Sequence, residues 1–163
     1  MYIAKHAAHE RIIYNRLSSS DEPPAGQLLL APIVLPVSKR DMTLIEESEG
    51  ELERLGLEFS DFGDGNIMIS SIPPYIDPDD TADFIEEVCR RMKKNENDSV
   101  RENILHSVSC KAAIKAGWTT QPEEIDALVR QVVADDNLRY CPHGRPVALT
   151  ITKKDFEKEF FRT

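Results

Sequence analysis

The sequence predicts a mixed α/β (α+β) fold in which a discontinuous α/β part, built from both chain ends, receives an inserted helical middle. Three observations lead there. Up to residue 75 a helical pattern gives way to an apolar strand-like run, a second helix and a hairpin; after Pro78 the pattern is helical only; from Val147 a strand and a short helix return. The expected division is therefore 1–75 with 146–163, and 76–145 between them. A chain of 163 residues with 40% apolar content is long enough to bury a core.

Ala4 to Leu17 reads as the first helix, where His6 and Glu10, four apart, project from one face. Ser18 to Gly26 is polar and proline-rich, hence a loop. Gln27 to Val37 is a strand whose Pro32 and Pro36 fit an edge. Ser38 is an N-cap, with Asp41 favourable in the first turn, for one helix running from Lys39 to about Leu55 and stopped at Gly56. Leu57–Phe62 and Asn66–Ile72 alternate about the turn Gly63-Asp64-Gly65-Asn66, which predicts a hairpin. Helices follow to about Lys94, from Val100 to Ala116, and from Pro122 to Ala134 behind a Thr120 cap. A strand from Val147 to Ile151 and a helix from Lys153 to Phe161, capped by Thr152, close the chain.

No apolar run approaches the roughly 20 residues that span a bilayer, and the first residues have no signal-peptide core, so no membrane partner and a cytoplasmic location are expected. Three cysteines in no framework spacing fit a reducing compartment. The net charge of −9 argues against a stand-alone DNA binder; DNA would need a local patch, and Arg11, Arg16, Lys111 and Lys115 offer one, though such side chains more often only solvate a helix.

The chemistry-bearing stretch is Cys141-Pro142-His143-Gly144-Arg145-Pro146. Two prolines restrict the backbone and Gly144 permits a bend, so Cys141 and His143 can aim at one point. With His6, Glu10 and Cys110 they make the ligand types that zinc takes, drawn from three separate pieces of chain. The bland alternatives are a rigid turn, a surface helix pair and a buried core cysteine. The Gln27-Leu28-Leu29-Leu30-Ala31-Pro32 run is a strand by default and a docking peptide if its edge is exposed.

The segments His6–Arg11, QLLLAP, Ser109–Gly117 and CPHGRP occur in the order of the C-terminal domain of the MutL family of DNA mismatch repair proteins, which the chain resembles over its whole length. The resemblance implies a homodimerisation subdomain for 1–75 and 146–163, and a helical regulatory subdomain for 76–145. It implies a latent nicking endonuclease acting on double-stranded DNA, a zinc site at His6, Glu10, Cys110, Cys141 and His143, and a second ion, manganese or magnesium. Further implied are a sliding-clamp motif keyed by Gln27, Leu30 and Pro32, an ATPase half outside this chain, and a mismatch-recognition partner reached through the full-length protein. The family's nuclease motif has Asp and Gln where this chain has Ala4 and Lys5, and a final Glu where it has Asn15. The expectation is a chain that nicks DNA weakly or not at all; the alternative is a purely structural dimerisation and clamp-docking module whose metal only stabilises the fold.

Overall fold

The computed structural model describes residues 1–20, 24–94, 99–113, 121–142 and 144–159. It contains two small antiparallel sheets and several helices, a mixed α/β architecture, in two compact units. One unit joins Met1–Asn15 to Ala113–Thr163; the other is the intervening Arg16–Ala112.

The unit made of both chain ends holds β1 (Tyr2–Ile3), the first three turns of α1 (Lys5–Ser19), α6 (Pro122–Ala134), β5 (Ala148–Leu149) and α7 (Lys153–Glu159). β1 pairs antiparallel with β5, Tyr2 opposite Leu149 and Ile3 opposite Ala148. The amide of Ala4 donates to Val147 O at 2.8 Å, and that of Val147 donates to Arg139 O at 2.9 Å, so three short segments are laced together by backbone. Ala8, Leu128, Cys141 and Val147 form its buried cluster, with Ile3, Ala7, Ile12 and Val132 packed on it. Pro122 takes the first turn of α6, where its missing N–H costs nothing. Thr120 lies outside the described residues; the N-cap is Gln121, whose amide donates to the Glu124 carboxylate at 3.2 Å.

The inserted unit is built on a three-stranded sheet in the order β2–β4–β3, from β2 (Gln27–Pro36), β3 (Glu58–Gly63) and β4 (Asn66–Ile72). β4 is central and reads as one: Ile67, Ile69 and Ile72 are fully buried. Asp64 and Gly65, both with positive φ, form the two-residue hairpin turn, as the Asp-Gly pair requires. β2 is an edge strand, where Pro32 and Pro36 cost no ladder bond. α4 (Thr81–Lys94) buries Phe84, Ile85, Val88, Cys89 and Met92, and α5 (Val100–Ala112) buries Ile104, Leu105 and Val108.

One expectation is corrected. The helix from Lys39 is broken at Ser48 into α2 (Lys39–Glu47) and α3 (Glu49–Arg54). Ser48 Oγ donates to Leu44 O at 2.6 Å and contacts Met92 Sδ at 3.3 Å, a back-bonded serine drawn toward α4. The helices of 76–145 do not separate as a body of their own. α4 and α5 pack on α2 and α3 in the inserted unit, whereas α6 belongs to the other unit, so the cuts fall at 15/16 and 112/113. The predicted end of α5 beyond Ala113, with Gly117, lies outside the described residues, as do the last residues of the terminal helix.

Candidate functional site

On α1 the four-residue spacing brings His6 Nε2 within 4.0 Å of Glu10 Oε2, with Glu10 almost fully buried at 3% exposure. Ala4 precedes the helix and is exposed, and Asn15 is half-buried. Cys141 is fixed by its backbone: its amide donates to Arg145 O and its carbonyl accepts from the Gly144 amide, both at 2.8 Å. Gly144 has φ +77°, a conformation that L side chains rarely adopt, so the predicted bend exists and requires glycine. The thiol itself is enclosed, 4% exposed, among Ala8, Leu128 and Val147.

His143 lies outside the described residues, and Cys110 belongs to the other compact unit, on α5. Among the described residues no three His, Cys, Asp or Glu side chains are grouped to hold a metal ion. The imidazole–carboxylate pair is chemically suited to zinc, but two ligands are not a closed site, and Cys141 belongs to a hydrophobic cluster with Ala8, Leu128 and Val147. The described residues alone therefore do not fit a structural zinc.

Two of the candidate DNA-contacting residues have local partners. Arg11 donates to Asn137 O at 3.4 Å and lies 5.8 Å from the Tyr14 ring centre, and Lys111 pairs with Asp83 at 3.2 Å. Lys115 lies outside the described residues.

Gln27, Leu30 and Pro32 are all exposed on β2, Leu30 fully so. The ladder explains why. Leu28 pairs with Ser71 and Ile33 with Ile69, so residues 29–32 of β2 stand opposite Ser70 alone. This irregular bulge frees the centre of the motif from β4 and aims Leu30 outward.

Two features were not legible in the sequence. Tyr2 and Leu149, directly paired, are 70% and 60% exposed, and Met1 and Ile151 beside them are also exposed; on α6 only Leu128 is buried, leaving Ile125 and Val133 in solvent. Period analysis missed the first because a two-residue strand has no period. In the inserted unit, a cavity of about 490 Å³ is lined by Val37, Asp41, Ile85, Cys89 and Lys93 among others. Burial, then the Asp41 charge, pushes the Cys89 thiol up to about 12, so it stays protonated and unreactive at neutral pH.

Residues 1–120 match the family model of the MutL C terminal dimerisation domain. The chain is 32% identical over 163 residues to the DNA mismatch repair protein MutL of Thermoanaerobacter pseudethanolicus, covering 98% of this chain and 26% of the relative. It is 30% identical over 165 residues to MutL of Clostridium botulinum (strain Kyoto), covering 98% and 25%. To MutL of Caldanaerobacter subterraneus it is 32% identical over 163 residues, covering 98% and 28%. The chain thus spans about a quarter of the length of the curated relatives it matches. Among the described residues no helix is long and apolar enough to cross a membrane.

Proposed function

The chain belongs to the MutL C-terminal dimerisation domain family, and on that premise we infer that it is the homodimerisation module of a cytoplasmic DNA mismatch repair protein. The observation that carries this is the exposed Tyr2–Leu149 pair, flanked by Met1 and Ile151, on the unit that also leaves Ile125 and Val133 of α6 in solvent. Large apolar side chains clustered on one small unit mark a surface that is covered in the assembled state. A second copy is the cover that the family's description supports. Hydrogen exchange at two protein concentrations tests the location: amides of residues 2–3, 125–133 and 148–149 should gain protection as concentration rises, and equal exchange at both would remove this surface.

The same module docks a replicative sliding clamp through Gln27, Leu30 and Pro32. Support comes from the exposure of all three positions and from the bulge that frees Leu30 and Pro32 from the ladder, while Gln27 stays paired with Ile72. A regulatory role for the helices of 76–145 is part of this reading, without a boundary of its own.

A second reading makes the module a metal-bearing endonuclease of the latent nicking type, brought to double-stranded DNA and to a mismatch-recognition protein by the full-length chain. The pairing of His6 with Glu10 and the rigid turn at Cys141 favour it. Zinc would be held by these three with Cys110 and His143, and a manganese or magnesium ion would supply activated water. Ala4, with no side chain to orient that water, and the lack of a ligand group among the described residues favour the structural module.

A further inference from the structure

The docking strand is tied down at both ends and slack in the middle. At its start Gln27 pairs with Ile72 and Leu28 with Ser71; the ladder resumes only at Ile33, opposite Ile69, and runs to Pro36 opposite Asn66. Residues 29–32 stand against Ser70 alone, so β2 carries three residues more than β4 over this span. Surplus chain between two paired segments keeps its shape only as well as its ends are held.

The far end is held by the four pairs from Ile33 to Pro36 and by the Val37 amide, which donates to Gly65 O at 2.8 Å. The near end has two pairs and a second device. Gly56, at φ +88°, lays its backbone against Gly26, so closely that a Cβ on Gly56 would lie 2.5 Å from Gly26 Cα and 2.9 Å from Gly26 N. Ser71 fixes Gly56 from β4: its hydroxyl donates to Gly56 O at 2.9 Å, from a residue only 1% exposed. A partner protein cannot touch Ser71. Yet Ser71 is laddered to Leu28 and, through Gly56, braces Gly26, the two residues that flank Gln27.

A motif already held in one shape loses less conformational freedom on binding, so loosening its ends lowers affinity without removing a contact. We propose that Ser71 is a positioning residue of the clamp-docking motif: its buried hydroxyl, acting through Gly56, holds the entry at Gly26–Leu28 and so keeps Leu30 and Pro32 presented. This deepens, and rests on, the docking role of Gln27, Leu30 and Pro32 given above.

The test reads binding by surface plasmon resonance, with a bacterial replicative sliding clamp immobilised and the whole chain injected. Ser71→Ala should weaken binding about threefold. Ile104→Val is the control: Ile104 is fully buried on α5 of the same unit, and losing one methylene there costs stability of the same order as one buried hydrogen bond. Both variants should therefore unfold at a lower urea concentration, while Ile104→Val should bind the clamp as the parent does. Without clamp, hydrogen exchange at residues 26–28 should quicken in Ser71→Ala and not in Ile104→Val. A synthetic peptide of residues 24–37, free of both tethers, should compete about tenfold more weakly than the chain. The proposal is overturned if Ser71→Ala binds as the parent does, if Ile104→Val loses as much affinity, or if the peptide matches the chain. Binding that Leu30→Ala weakens and Ser71→Ala does not would leave the docking motif standing and remove only the role of Ser71. If neither chain nor peptide binds, the docking motif itself falls, and the role of Ser71 with it.

Discussion

Gly26 and Gly56 meet backbone to backbone where the chain enters β2: a Cβ on Gly26 would lie 2.5 Å from Gly56 O and run into Ser71 Oγ. Ser71 Oγ, on β4, itself donates to Gly56 O at 2.9 Å and so holds the backbone against which the entry to β2 packs. Gly26→Ala must displace backbone as well as a side chain, and should cost about 2–3 kcal/mol by overpacking. Urea unfolding should show that loss, while Gly50→Ala, with nothing within 4 Å of its Cβ, should not destabilise.

The same strand separates stability from docking at Leu30. Its side chain is fully exposed in the bulge, so Leu30→Ala should leave the urea midpoint within experimental error. Affinity for a sliding clamp, read by surface plasmon resonance, should fall about tenfold or more. Unchanged affinity would remove Leu30 from the docking motif.

Acid stability follows from two carboxylates of the inserted unit. Burial works against ionised Asp41, but hydrogen bonds from Lys93 and Ser38 and the Lys93 charge outweigh it and hold the carboxyl below its ordinary value. Burial likewise opposes ionised Glu87, and Arg90 and Arg91 overcome it. A carboxyl depressed in the folded state adds stability above its unfolded pKa and loses it as pH falls through the folded value. Stability should therefore be level from neutral pH down to about 5 and fall below about 4. Lys93→Met should flatten that fall, and an acid limb identical to the parent's would show that the Lys93–Asp41 pair contributes nothing.

Ala4 decides the chemistry expected of the first helix. On the endonuclease reading proposed above it presents a methyl where a carboxylate would be needed, so the chain should not nick supercoiled plasmid with manganese, with or without a sliding clamp. The structural reading expects Ala4→Asp with Lys5→Gln to be equally inert. Nicking gained by that double variant would restore the endonuclease reading of the site, and nicking by the parent would show that Ala4 does not stand at the catalytic position.

Local chemistry was legible where it is local in cause. The Asp64-Gly65 turn, the edge prolines of β2, the Ser38 cap and the His6–Glu10 spacing need only a few neighbouring residues, and each is in place. The contact of Ser48 with Met92 joins residues 44 apart, and α4 and α5 take their places by packing on α2 and α3. No periodicity encodes either. At the site, the bend at Gly144 could be read from the sequence, but the apolar enclosure of Cys141 could not, since Ala8 and Leu128 reach it from distant segments.

The most direct test of the dimerisation module is sedimentation equilibrium of the chain beside Leu149→Asp and Val133→Asp. The parent should sediment at twice the chain mass, and Leu149→Asp should shift it toward monomer with the helical spectrum retained, because the side chain lies in solvent in the isolated fold. A parent that remains a monomer across the accessible concentrations, or a Leu149→Asp/Val133→Asp chain that stays fully dimeric, would contradict the account.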